Sequence, residues 1–248
     1  MCCMKKIIFS FSLLVVLVIS SLGLNSQSAS AAPLEKDAGL SSIDSPESYI
    51  NFLEDLAKTD KYAAEGLESF KNLSLDEQQT FLLALQPENY STIIGATIES
   101  PNIKSVNIEG NDIPVEVKID KGPTFEVMAP TKRTVTATYN LAVNGVRTTT
   151  LNSTVVFNYL GGSVTQLLDN YGSHSNINPA MIWSQQAGRG YIDGGDAYGR
   201  ASWTVYATGG LGFINDSVDL IVRADGYSRS YKVDSSRTDW RTNGWRSF

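Results

Sequence analysis

The hydrophobic period of the chain changes near residue 100, from the 3.6-residue repeat of a helix to the alternation of a strand. Upstream, Ser45-Pro46-Glu47 supplies an N-cap, a proline suited to a first helical turn and an acid suited to the helix dipole. Tyr49, Phe52, Leu53 and Leu56 follow at helical spacing, and Ala63, Leu67 and Phe70 mark a second short helix. Ser74 and Glu77 form a capping box opening a third, with Phe81, Leu82 and Leu85 inward and Pro87 as its stop. Helices of about ten residues are marginal alone in water, so these three must pack on one another or on another element.

Downstream, Val135, Ala137, Tyr139, Leu141 and Val143 share one strand face, with Thr134, Thr136, Thr138 and Asn140 on the other. Asn144-Gly145 predicts a type I′ turn. The returning strand carries Val155, Phe157 and Tyr159 on the opposite parity, which predicts a bulge near Leu151 to Thr154. A second hairpin runs from Val218 to Val233 around Asp225-Gly226. A two-residue turn there pairs Ala224 with Tyr227, Leu220 with Tyr231 and Asp219 with Lys232. The expected fold is therefore α+β: a small N-terminal helical segment followed by an antiparallel β-sandwich or barrel-like domain.

Charge follows the same division. Residues 32–100 hold 13 acids and 4 lysines, and residues 101–248 hold 13 acids and 14 lysines plus arginines. The acidic helical segment 32–100 reads either as a subdomain packed on the β domain 101–248 or as a pro-region that masks it. Lys132-Arg133 is dibasic but directly precedes a strong strand, a poor place to cut. The overall charge of −6 argues against nucleic acid as a partner.

Residues 1–31 have the order of a secretory signal peptide: Lys5 and Lys6, an apolar run from Ile7 to Leu24, then Ala29-Ser30-Ala31. Secretion to the extracellular space is expected, with no membrane span left after cleavage. The two cysteines, Cys2 and Cys3, lie ahead of the apolar run. The mature chain thus has no thiol for a disulfide, a nucleophile or a zinc site.

Candidate chemistry is sparse. His174 is the sole histidine, and no serine sits in a G-x-S-x-G elbow, so a Ser-His-Asp relay has little support. The glycine-dense stretch Gly188 to Gly212 reads as a long flexible loop. Within it Asp193 and Asp196 are candidate calcium ligands, joined by Asp216 or Asp219, although the spacing is not that of an EF-hand. Calcium is the one cofactor suggested. The same two acids sit badly for a glycosidase pair, being three residues apart on one turn. The C-terminal stretch interleaves cations with aromatics, and Arg229, Tyr231, Arg237, Trp240, Arg241, Trp245 and Arg246 are candidate binding residues there.

These features predict a secreted, non-enzymatic protein whose β domain binds an extracellular surface or polymer. Two alternatives remain open at this level. One is a carboxylate-dependent hydrolase working in the glycine-dense stretch; the other is a toxin or antimicrobial released from its acidic segment.

Overall fold

Among the described residues four of five helices begin with proline or a side-chain cap, and their first turns show why the chain is helical there. A computed structural model describes residues 38–121, 131–207 and 215–248. The expected leader 1–31, with Cys2 and Cys3, lies outside the described residues. Helix α1 (Ala38–Ser41) precedes α2 (Pro46–Leu56), α3 (Lys61–Lys71), α4 (Leu75–Leu85) and α5 (Pro87–Glu99). The Ser45 hydroxyl accepts from the Ser48 amide at 3.2 Å, Asp60 caps α3, and Ser74 with Glu77 forms the expected reciprocal box. The inward rings of Tyr49, Phe70 and Phe81 meet with centroids 4.8 to 5.5 Å apart.

The fifth helix departs from the sequence reading. Pro87 does end α4, but it is also the first residue of α5, with Gln86 as the joint between them. Thr92, Ile93, Ile94, Thr97 and Ile98 give this segment weak intrinsic helicity. Burial outweighs that weakness, because Tyr90, Ile93, Ile94, Thr97 and Ile98 are all interior. A helix apolar on most of its circumference is an internal element, and α5 is one.

The β region forms two five-stranded antiparallel sheets, each a meander. The first contains β1 (Ser105–Ile108), β2 (Asn111–Lys121), β3 (Thr131–Val143), β4 (Val146–Leu160) and β5 (Ser163–Asn176) in sequence order. The second contains β6 (Met181–Asp193), β7 (Asp196–Ala207), β8 (Asn215–Ala224), β9 (Arg229–Ser235) and β10 (Arg246–Ser247), also in order. A 3-10 turn at Thr238–Trp240 lies between β9 and β10. Strands β3 and β4 pack across β7 and β8, which makes the sandwich that the alternation predicted. The sheets approach closely where side chains are missing. A Cβ on Gly172 would stand 2.5 Å from the Ala201 Cβ, and one on Gly199 would stand 2.8 Å from the Val155 Cβ.

Helix α5 packs on β1, β2 and the 3-10 turn. Its Ile94 and Ile98 join Tyr139, Leu151, Trp183 and Leu220 around one apolar hollow between the sheets. The Tyr90 hydroxyl donates to Thr148 Oγ1 at 2.7 Å, and burial pushes its pKa up to about 12. Among the described residues no helix is long and apolar enough to cross a membrane.

Three local expectations need correction. The first hairpin turns at Asn144 (φ 48°) and Gly145 (φ 76°) as expected, but its register shift falls at Thr148, three residues ahead of the Leu151 to Thr154 region where the parity placed it. Leu141 faces Thr149 while Ala142 faces Arg147, and the intervening Thr148 donates to the Leu141 carbonyl and is held by Tyr90. The second hairpin pairs Ala224 with Arg229, Leu220 with Val233 and Asp219 with Asp234, two residues away from the expected register. Its turn takes four residues because Asp225 accepts from the Tyr227 and Ser228 amides, while Arg133 donates to the Gly226 carbonyl from the other sheet. The glycine-dense stretch, finally, is no long loop in its described part. It forms β6 and β7, joined by a two-residue Gly194-Gly195 turn.

Candidate functional site

Gly194 (φ 59°) and Gly195 (φ 90°) make the type I′ turn that a side chain at either position would strain. That turn sets Asp193 opposite Asp196 and, two pairs further along, Tyr191 opposite Tyr198. Ala197, Gly199, Ala201 and Trp203 face the interior of the sandwich, so Tyr198 and Arg200 stand on the outer face. There the Tyr191 and Tyr198 rings stack, with centroids 4.7 Å apart and planes within 2°. Trp245, just before β10, adds a third ring edge-on to Tyr198 at 5.9 Å. Tyr191 is 51% exposed and Trp245 is 40% exposed, so the three rings form a strip open to solvent.

Cations flank the strip. Arg189 lies opposite Arg200, and Tyr198 lies opposite Arg223. Arg200 pairs with the buried Asp219, and Arg223 Nε reaches Asp196 Oδ2 at 2.6 Å. These hydrogen-bonded carboxylates hold both guanidiniums above their ordinary pKa. Desolvation, chiefly, raises the Tyr198 phenol as well. An array of flat rings with fixed cations stacks on planar or ring-shaped groups and pairs with anions.

The seven C-terminal binding candidates do not form one exposed surface. Trp240 is wholly buried and its indole N–H donates to the Ser91 carbonyl of α5 at 3.0 Å. Arg246 donates to the Ile98 and Glu99 carbonyls, at 2.7 and 2.6 Å, closing the C-terminus of α5. Tyr231 is interior, edge-on to Phe248. Arg229 lies over the same Phe248 ring, 5.9 Å from its centroid. Arg237 forms two hydrogen bonds with Asp239, and Arg241 Nε donates to the Ser235 carbonyl beside Asp234. Of the seven, Trp245 is the one that joins the ring strip. Tyr191, Tyr198 and Arg189 escaped the sequence reading, although treating Gly194-Gly195 as a two-residue turn places Tyr191 opposite Tyr198 at once.

Asp193 and Asp196 border the strip, and the other candidates stand apart from it. Asp196 is engaged by Arg223, and Asp216 lies near Arg237 and accepts from Ser236. Among the described residues no group of three or more His, Cys, Asp or Glu side chains is placed to hold a metal ion. His174 sits half-buried on β5, edge-on to Trp203, and burial lowers its pKa. Its hydrogen-bonding neighbours are Gln185 and the Trp183 backbone, not a carboxylate. Where α3 meets the first sheet, an open groove of about 290 Å³ carries the Glu65–Arg147 and Glu116–Lys118 ion pairs, already balanced in charge.

Comparison with known proteins gives no match: no family model, no curated protein and no solved structure matches the chain.

Proposed function

We propose that this is a secreted, non-enzymatic protein whose β domain binds an extracellular surface or polymer, and that the outer face of the second sheet is its contact surface. The supporting observation is the exposed strip Tyr191–Tyr198–Trp245. Monomeric proteins keep large aromatic groups scattered, and three rings aligned across neighbouring segments suit a ligand that repeats along one direction. Cutting off the C-terminal residues does not test this reading, because Trp240 and Arg246 leave with Trp245 and both hold α5. Paired point substitutions do. Tyr191→Ala with Trp245→Ala should lower retention on a cell-envelope preparation at least tenfold, since each lost stacking partner weakens binding by about 1–3 kcal/mol. The thermal midpoint should stay within a few degrees of the parent. Retention unchanged in the double variant would remove this face as the binding surface.

A further inference from the structure

We infer that the polymer taken by this face is an anionic glycan, its acidic groups paired to Arg189 while its sugar rings lie on Tyr191 and Trp245; this rests on the proposed function above. The argument starts from an imbalance in the sheet. Arg189 and Arg200 oppose each other directly on β6 and β7. Like charges in that position destabilise a strand pair unless a counter-charge lies between or beside them. Arg200 has its counter-charge in Asp219. Arg189 is exposed, and no hydrogen bond or ion pair engages its guanidinium among the described residues.

Arginine presents a planar fork that matches a carboxylate, sulfate or phosphate with two parallel hydrogen bonds. Arg189 and Tyr191 lie on the same face two residues apart, about 6.7 Å along the strand. A ring stacked on Tyr191 therefore brings a substituent of its own, or of the neighbouring sugar, over Arg189. Arg223, on the far side of Tyr198, is committed to Asp196, so the open positive charge lies on the Arg189 side. A polymer with sugar rings and regularly spaced acids satisfies the strip and the cation together. The charge of residues 32–100 disfavours the approach of a polyanion to the helical face.

Affinity electrophoresis of the full secreted chain, at fixed physiological salt, tests this with three matched pairs of polymers. They are polygalacturonate and its methyl ester, dextran sulfate and dextran, and phosphomannan and mannan. At least one charged member should bind about tenfold more tightly than its neutral partner. Arg189→Gln should abolish that preference, and Tyr191→Ala should weaken binding of both members. Which pair responds identifies the acid as carboxylate, sulfate or phosphate. Equal binding of charged and neutral members, or a preference that survives Arg189→Gln, overturns the inference but leaves the face as a polymer site. No binding to any of the six, with envelope retention still dependent on Tyr191 and Trp245, overturns it too. If envelope retention is also insensitive to both rings, the proposed function falls with it. Arg189-dependent binding to anionic lipid vesicles in the absence of glycan binding would assign the face to a membrane instead.

Discussion

Trp240 and Trp245 are five residues apart in the same cation-rich stretch, and nothing local in the sequence separates their roles. One is wholly buried against α5 and the other lies open beside Tyr198. The difference is made by tertiary partners: the Ser91 carbonyl waits for one indole, and a tyrosine ring pair waits for the other. His174 carries the clearest single-residue prediction. Burial holds its pKa below the 6.5 of an exposed imidazole, so the unfolded chain takes up the proton more readily. The stability associated with the neutral ring is therefore complete above pH 6.5. It declines as pH falls from 6.5 through the lower folded value and levels off beneath it. Urea midpoints between pH 7.5 and 5.5 should show that decline, and His174→Gln should flatten it. As the chain has one histidine, its proton resonances follow the titration without ambiguity. A folded pKa above 6.5 would reverse the slope.

At the scale of the elements, the α+β order, helices α2 to α4 and the turn of the first hairpin are legible, because each carries its own cap, period or turn residues. Helix α5 was hidden by β-branched residues whose cost burial offsets, and by a proline that serves two helices. The register of β8 and β9 was hidden for a different reason. A slip of two residues keeps every side chain on its own face, so hydrophobic alternation cannot tell the two registers apart. What chooses between them is the turn. Asp225 binds two amides and the Ser228 hydroxyl, and Arg133 and Tyr159 press on Gly226 from the first sheet. Glycine content alone points to a loop at the Gly194-Gly195 hairpin and so obscures the strip. Asp225→Ala should cost about 1 kcal/mol, as the loss of a comparable side-chain cap does, and should speed amide exchange at Tyr227 and Ser228. Unchanged exchange at both amides would show that the first sheet, not Asp225, holds the four-residue turn.

The described residues from 38 onward are tied together across the point where charge and hydrophobic period change. Helices and strands contribute to one apolar cluster, from Tyr49 and Phe81 through Ile94 to Leu151, Trp203 and Val233. Buried hydrogen bonds stitch the same boundary. The Tyr49 hydroxyl donates to the Ile177 carbonyl at 2.9 Å, Asn178 Nδ2 donates to the Leu85 carbonyl at 3.0 Å, and Thr97 meets the Tyr139 hydroxyl at 2.7 Å. Removing the helices would uncover the apolar sides of Tyr139, Leu141 and Leu220, and each large apolar side chain returned to water forgoes about 1.5–3 kcal/mol of burial. Domain stabilities are about 5–15 kcal/mol, so several such losses suffice to unfold the remainder. A chain beginning at residue 101 should therefore show no cooperative thermal transition and should bind a dye that reports exposed apolar surface. The chain from residue 32 should melt in one cooperative step. A stable, cooperatively melting 101–248 fragment would instead mean that the sandwich stands alone, and a helical segment that detaches from a folded β domain would then fit a pro-region better than a structural wedge.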